Sequence, residues 1–149
     1  MKTNKRGDIY LLAKGVLIFF IILLFQSCAS TSTPVNNIVG SDFKDNLPGL
    51  WEGMWSSPSG LPGKEHLNIT KIDGNEVFLT GFAEGGGSVP DADEVSGSIE
   101  NSTLLLTWPG SNCKEKYSMK KDASNNFILY GTYKCGTGNM GSVQLKKIE

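Results

Sequence analysis

Arginine is nearly missing from this chain, with Arg6 the only one, and histidine is represented by His66 alone. Without guanidinium forks, bidentate recognition of phosphate or of a nucleic-acid backbone has no carrier. One imidazole is too few for histidine-based metal sites, and no Ser in a Gly-x-Ser-x-Gly elbow or reactive thiol accompanies it. The three cysteines show no metal-ligand spacing. Helical periodicity is also lacking, because no window of a dozen residues after Ile38 repeats apolar side chains at helical spacing. The longest apolar run, Gly15 to Phe25, has eleven residues. As a helix it rises roughly 16 Å, about half of a ~30 Å hydrocarbon core, so a span would need Leu11 to Lys14 recruited as well. These absences point away from an enzyme, a metalloprotein or a nucleic-acid binder, and no cofactor is expected.

The chain opens with Lys2, Lys5, Arg6 and Lys14 against a single Asp8, followed by the apolar run and then Gln26-Ser27-Cys28. That is the n-region, h-region and small-residue boundary of an export signal. Leu24-Phe25-Gln26-Ser27-Cys28 resembles the lipobox of bacterial lipoproteins. The resemblance implies that residues 1–27 are a signal peptide and that Cys28 becomes an N-terminus carrying acyl chains such as palmitate. Each buried methylene of such chains contributes about 0.8 kcal/mol of anchoring. Ala29 stands where many two-membrane bacteria place an Asp to retain a lipoprotein at the inner membrane. The resemblance therefore implies a lipid anchor in the outer membrane of the cell envelope.

After such processing 122 residues remain, with ten lysines against fourteen acidic residues and no arginine. That length suits one domain with one core. Residues 28–46, rich in Ser, Thr, Asn and Pro, read as a lipid-anchored flexible linker, which leaves 47–149 as the domain. Lys114, Lys116, Lys120, Lys121 and Lys134 read as the wet face of strands rather than a binding patch.

Cys113 and Cys135 make an even pair in an exported chain, so a disulfide is expected. The turn-forming run 122–126 lies midway between them, and a hairpin centred on Ser124 places the two cysteines opposite each other. That register turns Cys113, Glu115, Tyr117 and Met119 to one face with Phe127, Leu129, Gly131, Tyr133 and Cys135. A second hairpin around Asn101-Ser102 sets Val95, Gly97 and Ile99 against Leu104, Leu106 and Trp108. A third, turned by Asp73-Gly74, sets Ile69 opposite Phe78 and Lys71 opposite Glu76.

Eight strands are expected: 50–56, 65–72, 76–83, 94–100, 103–108, 113–120, 127–135 and 141–148. Short, evenly spaced strands joined by turns predict an all-β antiparallel meander that closes into a small barrel or packs as a sandwich. Gly49-Leu50-Trp51 and Gly53-Met54-Trp55 both read Gly-x-Trp on the first strand, a motif that resembles the lipocalin and avidin group of barrels. There the glycine permits close backbone approach and the tryptophan plugs one end. The resemblance implies an eight-stranded barrel with either a filled interior or one ligand cavity.

Trp51, Trp55, Trp108, Tyr117 and Tyr133 are the candidate walls of such a cavity, with core packing as the plainer role for each. Glu115 is the candidate polar group, turned inward beside the tyrosines; the plainer reading leaves it at the barrel rim in water. Asp91, Asp93 and Glu94 read as a solvated acidic loop without the ligand rhythm of a calcium loop. Residues 136–141 spell G-x-G-x-x-G but precede a strand and no helix, so no phosphate site is expected. Two functions remain open. The barrel holds a small apolar or amphipathic molecule, or its loops (57–64, 84–93 and 136–140) engage another macromolecule, as small lipoprotein inhibitors of lysozyme do.

Overall fold

Side chains alternate between a dry and a wet face over nearly the whole domain, and that alternation builds its strands. The computed structural model describes residues 36–60, 62–85 and 94–148. The signal segment, Cys28, Asp91 and Asp93 lie outside the described residues. The elements are β1 (Asn37–Ile38), α1 (Ser41–Asn46), β2 (Gly49–Ser56), β3 (Pro62–Asp73), β4 (Glu76–Glu84), β5 (Glu94–Glu100), β6 (Thr103–Trp108), β7 (Cys113–Lys121), β8 (Phe127–Cys135) and β9 (Met140–Lys147).

From β2 to β9 each strand pairs antiparallel with the next, and β9 returns to pair with β2. An eight-stranded meander thus closes into a barrel and leaves none of these strands as a free edge. The short β1 continues the sheet beside β7, pairing Ile38 with Met119 beyond the point where β6 stops at Tyr117. Close approach between β2 and β9 depends on Gly53, where a Cβ would stand 1.9 Å from the Gln144 carbonyl oxygen. This is the role that the Gly-x-Trp resemblance implies for its glycine.

Both later hairpins have the expected registers. Cys113 faces Cys135 and is bonded to it, and Ile99 faces Leu104 across a turn whose Asn101 and Ser102 both have positive φ. The β3–β4 hairpin differs from expectation. Its turn is Gly74-Asn75, with Asp73 opposite Glu76, and a bulge at Thr70 brings Lys71 opposite Phe78 and Ile69 opposite Leu79. The expected pairs Ile69–Phe78 and Lys71–Glu76 do not form. In that register Phe78 would share the inward face of Ile69 and drive Val77 and Leu79 outward; the observed one buries both and leaves Phe78 exposed.

The segment read as a linker is partly folded. Phe43 and Leu47, four residues apart, lie on one face of the α1 turn and are fully buried. A six-residue helix is too short to show a period in sequence. It caps one end of the barrel: Lys44 Nζ donates to the Gly74 carbonyl (2.7 Å) and to Asn75 Oδ1 (3.0 Å), and the Gly40 N–H donates to Ser102 Oγ (2.8 Å). Beneath it Trp51 is fully buried and donates its indole N–H to the Leu47 carbonyl at 2.8 Å. This end is solid. Above it, Leu67, Leu79, Leu106, Tyr117, Val143 and Leu145 fill the middle of the barrel.

Candidate functional site

The opposite end of the barrel is hollow. A cavity of about 480 Å³ lies between the ends of β2, β4, β6 and β8, the starts of β3 and β7, and the turns after Trp108 and Cys135. Its walls are aromatic. Trp55 comes from β2, Trp108 from β6 and Tyr133 from β8, with Trp55 and Tyr133 in edge-to-face contact at 5.9 Å between ring centroids.

Two glycines make room for the indoles. A Cβ at Gly63, directly opposite Trp55, would stand 2.2 Å from the Trp55 ring, and one at Gly81 would stand 2.5 Å from Trp108 Cη2. Trp108 thus rests its six-membered ring on the β4 backbone, and its nitrogen edge lies toward Glu115 on β7. The Cys113–Cys135 disulfide lies in the wall at the same level, next to Trp108, which pairs with Cys113.

The cavity floor carries charge-bearing groups. Glu65 on β3 and Glu115 on β7 both line it, yet their side chains are almost out of water, at 1% and 7% exposure. Between them stands the fully buried Tyr117, whose hydroxyl contacts Glu65 Oε1 and, at 2.9 Å, Glu115 Oε2. A phenol has one proton to donate and so serves one carboxylate at a time; the other contact is satisfied when that carboxyl carries its own proton. Burial pushes the Glu65 carboxyl well above the usual range, the neighbouring Glu115 adds to this, and the Tyr117 bond only partly opposes it. Burial likewise raises Glu115, against the pull of the Trp108 indole and Tyr117. The Tyr117 hydroxyl is pushed up in turn, chiefly by burial and then by both glutamates. No described residue of the cavity wall is basic, so neither carboxyl has a cationic partner among the described residues.

The indole N–H of Trp55 and the Ser111 hydroxyl are buried without a hydrogen-bond partner among the described residues, and the Trp108 N–H, directed at the Glu115 carboxyl, stands beyond a well-formed hydrogen bond to it. Trp108 as a whole is only 3% exposed. Buried donors of this kind cost roughly 1–3 kcal/mol each when left unmade. The arrangement can offer a ligand aromatic faces, two donors and a pair of carboxyls in one low-dielectric space.

Four of the six expected ligand-binding residues, Trp55, Trp108, Glu115 and Tyr133, line this cavity. Two stand elsewhere. Trp51 belongs to the closed end, and Tyr117 lies beneath the cavity with its hydroxyl reaching up to the carboxyls. Glu115 is not a solvated rim residue: it is buried beside Trp108 and Tyr117. The sequence reading passed over Glu65. Its signal was parity: it shares the face of Leu67 and Ile69, two and four residues on, so a charged side chain was bound to point inward. His66, by the same alternation, lies on the outer surface, with its Nδ1 3.1 Å from Glu52 Oε1.

No protein family matches the chain, and no curated protein matches it. Among solved structures it is similar to a redesigned β-barrel at 19% identity and a TM-score of 0.43, a match that covers 69% of this chain and 92% of that one. The barrel described here rests on the strand pairings themselves.

Proposed function

We propose that this protein is a lipid-anchored envelope lipoprotein whose barrel holds a small amphipathic molecule in its open-ended cavity. The observation that carries the ligand reading is the cavity of about 480 Å³, with aromatic walls and an unpartnered indole N–H, at one end of a barrel whose middle is filled by apolar side chains. That volume falls within the range of small-molecule sites, roughly 300–1,000 Å³. A barrel that acted only through its outer loops would gain nothing from leaving buried donors unmade inside. The anchor reading draws its support from the signal segment ending in Ser27-Cys28.

Two experiments test this. Native mass spectrometry of the full-length protein extracted from bacterial membranes should show a retained small molecule, and titration with N-phenyl-1-naphthylamine should quench the tryptophan fluorescence. An unliganded mass together with no response to the dye refutes the carrier reading. Metabolic labelling with a palmitate analogue should mark the protein and fail on Cys28→Ala; equal labelling of that variant refutes the anchor.

A further inference from the structure

We infer that the cavity is built for a protonated amine, its ammonium group seated between Glu65 and Glu115 and an acceptor oxygen of the same molecule facing the indole N–H of Trp55. This rests on the ligand-carrier reading above and names its ligand class.

The argument is one of charge and donor complementarity. Two carboxyls at 1% and 7% exposure face one space, and no described lysine or histidine lines it. Buried carboxyls in other settings are paired with a cation or remain protonated. Here the Tyr117 hydroxyl gives one proton between two carboxyls and the Trp108 indole edge lies toward Glu115, so the ionised pair has acceptor capacity beyond what these two donors fill. An ammonium group supplies up to three donors and the matching charge. The aromatic faces of Trp55, Trp108 and Tyr133 surround the same position, and such faces attract cations most strongly where water is excluded. The unpartnered indole N–H of Trp55 calls for an acceptor, which sets the polar group expected at the other end of the ligand. A carboxylate ligand would set like charge against both glutamates, and a purely apolar one would leave the carboxyls and the Trp55 indole unserved.

Binding should be coupled to proton release. The groups that face the seat are Glu65 from β3, Glu115 and Tyr117 from β7, and Tyr133 from β8, all acids and without a described base among them. The empty site holds its carboxyls protonated more readily than water does, and the ammonium favours their ionised form. Amine affinity should therefore rise with pH across the range in which the carboxyls titrate.

The test is isothermal titration of the full-length protein in detergent with two matched pairs, tyramine against 4-propylphenol and tryptamine against 3-propylindole, alongside N-phenyl-1-naphthylamine. The expected result is that at least one amine binds roughly tenfold or more tighter than its neutral partner, as charge-assisted hydrogen bonds warrant. Its affinity should increase from pH 5.5 to 8, with proton release seen as a dependence on buffer ionisation heat. Glu65→Gln and Glu115→Gln should each lose most of that preference of amine over neutral partner. If the dye binds and the neutral partners match or exceed both amines, the carrier reading survives and the amine assignment is overturned. Should the dye, the amines and the neutral compounds all fail to bind, both readings fall. The wild-type comparison of amine with isostere decides the matter even where a variant does not fold.

Discussion

Replacing Glu65 by Gln should stabilise the fold at pH 8 and leave it nearly unchanged at pH 4. In the unfolded chain a glutamate releases its proton near pH 4.3. In the barrel, burial and the neighbouring Glu115 hold the Glu65 carboxyl protonated well above that. Between those two limits the folded state binds more protons than the unfolded one, so stability is greatest on the acid side and falls as pH rises. For each retained proton the fall is about 1.4 kcal/mol per pH unit, and it stops where the folded group finally ionises. Against a total of roughly 5–15 kcal/mol for a domain this size, that is a large slope. Gln copies the protonated carboxyl in shape and keeps an oxygen to accept from Tyr117, so the variant removes one titration without opening a void. Asp122 carries the opposite sign, since its side-chain and backbone bonds with Asn126 hold its carboxyl down and favour the fold above its unfolded pKa. That contribution is common to both proteins and cancels in their difference. Urea unfolding from pH 4 to 8 measures it: the Glu65→Gln advantage should be near zero at the acid end and grow steadily above pH 5. A difference independent of pH, or one that shrinks as pH rises, refutes the burial argument for the carboxyl pair.

Three further outcomes follow from the packing. Serine at both Cys113 and Cys135, which close a sequence separation of 22 residues, should lower stability by about 3 kcal/mol on the chain-entropy account, read as a drop in the urea midpoint that reductant reproduces in the wild type. Phe43→Ala, at a fully buried position in the helical cap, should cost about 3–5 kcal/mol in the same assay and show that α1 belongs to the folding unit. Gly81→Ala places a methyl group 2.5 Å from Trp108 Cη2 and should displace that indole, costing about 1–3 kcal/mol and shifting the tryptophan emission. An unchanged spectrum would mean that Trp108 does not rest on β4.

Strand alternation and turn chemistry made most of the barrel wall legible in advance. The even spacing of Cys113 and Cys135 about the 122–126 turn settled one hairpin, since the register centred on that turn sets the two sulfurs directly opposite on one face. The same parity turned Glu115 and Trp108 inward. It failed at Thr70, where a bulge, invisible to a period of two, let the chain bury Val77 and Leu79 in place of Phe78. It was silent on α1, because one helical turn carries only Phe43 and the following Leu47 as evidence and takes its stability from the barrel end it covers.

What the amino-acid order determined alone is therefore local: which residues form strands, where they turn, and which side of each strand is dry. The pairing of β9 with β2, the plug at one end and the hollow at the other were decided in three dimensions, where side chains distant in sequence compete for the same interior volume. Glu65 and Glu115, fifty residues apart, become one site only because closure of the barrel brings β3 and β7 to face each other over Tyr117. Pattern along a strand reports the face a residue takes, and only closure reports what it meets there.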